Sequence, residues 1–386
     1  MHPERIAIPI ATALALPLLA SGCSFFAPEE EDLDFDAYAG ELTDMYNEGV
    51  RLEKELTAAE ARIVQDCLEA QGFTVHSPDE FAHFGLEERE SFLDQGPYEV
   101  FLPTVEEARL RGVFQWVNLD GAETIEDGAP WAAYQDSLTA RGLSDGPPEG
   151  VGDGEFYELP PEDMYAWYVA YGGETWAEYH QGYLVGIEQT KTDAGDDQVF
   201  FNPPPGGCER EMIEAVYGGP EEQDNAEESF SDWVWRPAQP GGDWEAMNER
   251  YTERTEDAEG GLLDCLDERG FGGWEFHEGH LAVHDYLFES GEGEFPYHSY
   301  EDEGGVWPDP PEDVPAEDDT QGWLDFERER TAVLAECGDE SGFRDAAEHA
   351  WRQAQLRYYL DIEDDVYAWQ EEMRGYLEAA QDVIGE

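Results

Sequence analysis

The sequence predicts a mainly helical fold of the α+β class, built as two disulfide-closed halves with a long C-terminal amphipathic helix packed on an N-terminal helix. Three observations predict it. From Arg344 to Ile384 there is no proline and one glycine, and Ala347, Trp351, Ala354, Tyr358, Ile362, Val366, Trp369, Met373, Leu377, Ala380 and Ile384 recur at spacings of three and four. That pattern is a single apolar stripe on a helix roughly 60 Å long at 1.5 Å per residue. A cysteine-bearing segment occurs twice, at Cys67 and at Cys265. The composition also permits a core. The 386 residues are 40% hydrophobic and 13% aromatic despite a net charge of −73, and disordered acidic chains are poor in aromatics.

The elements follow in chain order. Residues 1–22 read as a signal peptide: His2 and Arg5 precede an apolar run from Ile6 to Leu19, too short to span a membrane. Leu19-Ala20-Ser21-Gly22-Cys23 resembles a bacterial lipobox, which implies cleavage before Cys23 and a diacylglyceryl group on its thiol. Two acyl chains anchor stably where one is marginal. Residues 23–36 carry Pro28-Glu29-Glu30-Glu31-Asp32 and read as an extended acidic tether. The first half covers 37–220 and the second 221–386. Ala37 to Ala70 reads as helix, restarted by a capping box at Thr57-Ala58-Ala59-Glu60 and stopped at Gly72. Ser77-Pro78-Asp79-Glu80 and Thr104-Val105-Glu106-Glu107 start short helices, and Pro161 to Tyr171 forms another. Gly142 to Pro161 is loop. Gly182 to Ile187 and Gln198 to Phe201 have strand character. Pro203-Pro204-Pro205-Gly206-Gly207 breaks the chain before a Cys208 helix. In the second half a helix runs toward Cys265 with an interruption at Gly260-Gly261, Trp274 to Phe288 contains strands, and Gly304 to Gly322 is a surface loop. The C-terminal stripe pairs with Ala37 to Ala70 as a hairpin or antiparallel coiled coil, bringing the chain ends together. A homodimer through the same helix is the alternative.

With Cys23 assigned to lipid, four cysteines remain. Asp66-Cys67-Leu68-Glu69-Ala70-Gln71-Gly72-Phe73 matches Asp264-Cys265-Leu266-Asp267-Glu268-Arg269-Gly270-Phe271 in Asp, Cys, Leu, Gly and Phe at equal offsets. Each copy reads as the end of an amphipathic helix, with glycine as the left-handed cap and phenylalanine packing back. Each is followed by one further cysteine. The expected pairing is Cys67 with Cys208 and Cys265 with Cys337, one bridge per half, in an oxidising compartment. Four free thiols or a four-cysteine zinc site are the alternatives; zinc sites usually bring ligands in close pairs, and these are far apart.

These features together are similar to those of secreted lipoproteins of the high-GC Gram-positive (actinobacterial) type. The features are the lipobox, the acidic tether, the paired Cys-Leu-x3-Gly-Phe elements, a Gly207-Cys208 helix ending at Tyr217-Gly218, and the long helix after a fourth cysteine. The resemblance implies a lipid-anchored location on the extracytoplasmic face of the cell membrane. It implies no activity.

The chemistry is weakly marked. With 93 acids against 20 bases, a phosphate backbone finds no basic surface to bind, so nucleic acid is excluded as a partner. Loose binding of divalent cations follows from the charge alone. His277, His280 and His284 are close enough in sequence to be zinc or copper candidates, although the spacing is not H-E-x-x-H. Asp32-Leu33-Asp34-Phe35-Asp36 begins like a calcium loop but has Ala37 at its sixth position and Thr43 at its twelfth. Trp233 with Trp235, and Trp167 with Trp176, are candidate sugar-stacking platforms. No P-loop, G-x-S-x-G or G-x-G-x-x-G is present, and no cofactor is indicated. The expected function is a non-enzymatic binding or structural module of the envelope. A solute- or carbohydrate-binding lipoprotein and a hydrolase using two carboxylates are the alternatives. Removing residues 1–22 takes away Glu4 and Arg5 and leaves −73. A charge spread this widely predicts adaptation to a saline exterior.

Overall fold

A computed structural model describes residues 31–82, 87–119, 121–125, 127–140, 154–187, 202–225, 230–284, 286–287, 306–309, 314–316 and 318–385. Residues 1–33 form one unit and 34–386 the other. Cys23 lies outside the described residues, as do Gln198 to Phe201. The second unit is mainly helical. Its helices are α1 (Phe35–Ala70), α2 (Pro97–Phe101), α3 (Val105–Arg111), α4 (Ala129–Ala140), α5 (Pro161–Gly172), α6 (Glu174–Gln181), α7 (Gly207–Tyr217), α8 (Trp244–Glu268), α9 (Thr320–Glu340) and α10 (Phe343–Gly385). Its only named strands among the described residues, β1 (Glu221–Asn225) and β2 (Phe230–Val234), pair antiparallel from Glu221↔Val234 to Asn225↔Phe230.

Helix α10 is 43 residues long and carries the stripe read from the sequence. Ala347, Trp351, Ala354, Ile362, Val366, Trp369, Met373 and Ala380 are buried along it. Its predicted partner is the right one, but the direction is not. Phe35 of α1 lies beside Arg352, Gly49 beside Trp369, and Glu48 beside Arg374, so α1 and α10 run parallel. A hairpin needs a short connection. The whole chain joins these two helices, so nothing forces them to be antiparallel, and the start of α1 sits far from the end of α10. Helix α8 does run antiparallel to α10, with Tyr251 against Trp351 and Gly261 against Ser341.

Two apolar cores sit along α10. The first gathers residues from 98–122, α8, 274–287, α9 and the start of α10, including Trp116, Leu266, Trp274, Leu334, Phe343 and Trp351. The second gathers α1, α5, α7 and the later part of α10, including Leu56, Leu68, Trp167, Ile213, Trp369 and Met373. Each contains one bridge. Cys67–Cys208 spans 141 residues with Cα atoms 5.8 Å apart, and Cys265–Cys337 spans 72 residues at 5.6 Å.

The repeated segments end α1 and α8 in the same way. Phe73 donates its N–H to the Leu68 carbonyl and Gly72 to that of Glu69; Phe271 donates to Leu266 and Gly270 to Asp267. This is the Schellman pattern, and it needs a left-handed residue, here Gly72 (φ 98°) and Gly270 (φ 76°). Leu68 and Leu266 are fully buried. Cys337 opens a third copy of the Cys-x4-Gly-Phe spacing, with Gly342 at φ 77° turning α9 into α10 at Phe343. The sequence reading overlooked that copy.

Other elements differ from expectation for local reasons. Helix α1 does not restart at Thr57, because Thr57 and Glu60 turn sideways to Arg236 instead of capping a helix. Helix α8 continues through Gly260-Gly261, since buried Leu262 and Leu266 hold the turns that follow. Gly182–Val185 is a single 3-10 turn and no strand. Asp79–Phe81 is likewise only a 3-10 turn. The expected strands after Trp274 reduce to two isolated bridges, Glu275↔Val306 and His277↔His280. Thr104 does cap α3, with Glu107 closing the capping box.

Candidate functional site

A large concavity lies over the segment that follows α3. Arg111 ends that helix at Gly112, whose φ of 62° favours glycine and whose missing Cβ would fall 2.5 Å from Glu327 Oε1. Phe114 is left-handed too, at φ 70°. This bent stretch turns its backbone N–H groups inward onto one carboxylate. Val113 and Gln115 donate to Glu327 Oε1, and Trp116 donates to Oε2 at 3.0 Å. Arg328 holds the Leu110 carbonyl with two donors, at 2.9 and 2.6 Å. The Trp116 indole donates to the Arg111 carbonyl at 2.9 Å. Glu327 is 2% exposed on α9. Burial pushes its carboxyl up to about 7, against the pull of the Trp116, Val113, Gln115 and Phe114 amides, which favour the charged form.

The outer side of the same segment floors a groove of about 760 Å³, walled by α2, α3 and α4. That volume is in the range of small-ligand sites. Arg111 lies 4.2 Å from the Phe114 ring centroid and bonds Glu107 at 2.9 Å. Phe114 packs on Tyr134 at 5.2 Å. Burial would raise the Glu107 carboxyl, but bonds from Thr104 and Arg111 bring it below its ordinary value. Gln95, Asn118 and Ser137 add uncharged polar groups to the wall. The groove thus offers three carboxylates (Glu99, Glu107 and Asp136), one arginine already bonded to Glu107, uncharged hydrogen-bonding groups and the Phe114, Tyr134 and His284 rings, suited to a polar solute with an apolar face.

His284 also lines the groove. Its Nε2 faces the Val100 carbonyl at 3.1 Å, which can only accept, so Nε2 carries the proton and Nδ1 accepts from the Gln115 amide. His277 and His280 pair across a two-residue turn, with backbone bonds of 3.0 Å in both directions. His280 stands edge-on to Phe101 at 5.2 Å. Burial, then His284 and His277, push it down to about 4, so it is neutral at ordinary pH. The three metal candidates are therefore spread over a turn, a ring stack and a groove wall. Among the described residues no group of three His, Cys, Asp or Glu side chains is placed to hold a metal ion.

The Trp167–Trp176 platform is packed into the second core. Trp167 is fully buried, stacked on Tyr171 at 5.2 Å, and Trp176 packs on Tyr171 and His180. Trp233 donates its indole N–H to the Asn202 carbonyl.

Two acid clusters were not singled out from the sequence. Glu60 of α1 takes a bidentate grip from Arg236 and a bond from the Tyr217 hydroxyl, while Arg236 also reaches Glu53 and Thr57. Glu80 and Glu209 are each pushed up to about 7. Burial comes first for both, followed by Asp79 for Glu80, and by Glu80 and Glu60 for Glu209. Tyr171 bonds Glu80. Glu327 was legible in part: Trp323, Glu327, Thr331 and Leu334 fall on one helical stripe, so an acid occupies an apolar phase.

No family model, no curated protein and no solved structure matches the chain.

Proposed function

We propose that this chain is an extracytoplasmic lipoprotein, anchored through Cys23, that acts as a non-enzymatic binding module with its ligand seat in the groove above Glu327. The groove carries the reading. Its floor is already fixed by four donors and a buried acid, so a ligand would not have to order it, which favours affinity. The two bridges agree with an oxidising exterior. The dispersed charge of −73 agrees with a saline one. A thermal-shift screen of the purified protein against sugars, peptides and metals, at low and molar salt, tests it. A polar ligand is expected to raise the midpoint, and Arg111→Ala is expected to abolish that rise. No shift with any of these would sink the binding reading. Cys23→Ser is expected to release the protein from membranes into the medium.

The Glu80–Glu209 pair favours a second reading, a hydrolase using two carboxylates. Glycosidase activity lost in Glu209→Gln, with the protein still folded, would replace the first reading by this one.

A further inference from the structure

A second pocket, of about 320 Å³, opens between α1, α10 and the turn at 239–241. Its lining differs in kind from the groove. In a chain with 93 acids and 20 bases, none of the side chains lining this pocket is charged. Four of them are aromatic: Tyr46, Tyr358, Tyr359 and Trp369. An anion would meet the summed negative field and find no cation among the lining side chains to receive it. A hydrated metal ion would find no carboxylate. A soft, weakly hydrated cation meets both requirements, because ring faces attract it and the field concentrates it.

The site already handles a cation in this way at its edge. The Arg89 guanidinium lies 4.8 Å from the Tyr46 ring centroid, and Asp94 neutralises it. The other rings are held in place. Tyr358 accepts the Gly242 N–H at 2.9 Å, Trp369 donates to the Pro237 carbonyl at 3.2 Å, and Tyr359 stands edge-on to Phe92 at 5.2 Å. The Tyr46 hydroxyl is buried without a partner.

We propose that this aromatic pocket binds a small trimethylammonium compound. The site is separate from the groove, and the proposal does not rest on it.

Calorimetric titration of the purified protein with choline, and with its neutral isostere 3,3-dimethylbutan-1-ol, tests this. Choline is expected to bind saturably, at least about tenfold more tightly than the isostere. Trp369→Leu should lose about that factor. Because Trp369 is buried and its loss could unfold the chain, Gly241→Phe provides a second variant. A Cβ at 241 has only the Tyr358 hydroxyl nearby, at 3.9 Å, so a side chain there fills the mouth without touching the backbone. Gly241→Phe should abolish choline binding at unchanged melting temperature, and Arg111→Ala should leave it intact. Equal affinity for the isostere, no saturable heat with choline, or full binding by folded Gly241→Phe would each overturn the proposal.

Discussion

The two cores bury acids by different means. In the second core Glu60 faces a cation: Arg236 grips both of its oxygens, and the Tyr217 hydroxyl adds a third bond. In the first core Glu327 accepts bonds from the backbone N–H groups of 113–116. The first solution ties three separate segments together through side chains and fails if one partner is lost. The second shapes a single loop through main-chain donors and leaves its acid with a raised pKa. The comparison separates an acid used as a clasp from an acid used as a mould.

The largest effects should come from the bridges around these two sites. In the chain-entropy treatment, removing Cys67–Cys208 costs about 5 kcal/mol and removing Cys265–Cys337 about 4 kcal/mol, the longer loop costing more. Denaturant melts of the two double serine variants check the order, and a reversed order would point to strain or residual structure in the unfolded chain. Next, Arg236→Ala should destabilise by about 3 kcal/mol, because it strands a buried carboxylate, while Arg236→Met with Glu60→Gln should cost distinctly less. Equal costs would mean that the clasp is ordinary packing.

Glu327→Gln should change the pH profile as well as the stability. The folded carboxyl titrates near 7 against an ordinary value of 4.5, so between those values the folded state holds more protons than the unfolded one. Stability from this group is present below 4.5 and is lost as pH rises through 7. The wild type should therefore lose about 3 kcal/mol relative to the variant between pH 4 and pH 8. Parallel pH profiles for the two proteins would remove the mould from the account. Smallest of all, Thr104→Ala should cost about 1 kcal/mol through the cap of α3, with the groove ligand's affinity little changed.

What could be read from the chain follows the same division. The α10 stripe and the two Schellman ends are local periodicities, carried by residues three to six positions apart, and they appear where the sequence puts them. The direction of α1 against α10 is a long-range property and left no local trace. The Thr57–Glu60 pattern misled because its chemistry is the same for a cap and for a tertiary clasp; only Arg236, 176 residues beyond Glu60, decides between them. The groove was invisible as such. Its floor depends on Phe114 adopting a left-handed backbone, which its side chain gives no reason to expect.

The bridge pattern has a consequence for how the chain is made. Cysteines 67, 208, 265 and 337 pair first with second and third with fourth. If the chain is exported N-terminus first with Cys23 taken by lipid, as proposed above, each bond closes as its second cysteine emerges, with no wrong partner to be undone. Helix α10 follows both pairs in the chain and completes both cores. Oxidation can therefore run in order of arrival while the molecule is still open, and the last helix seals a chain whose covalent connections are already correct.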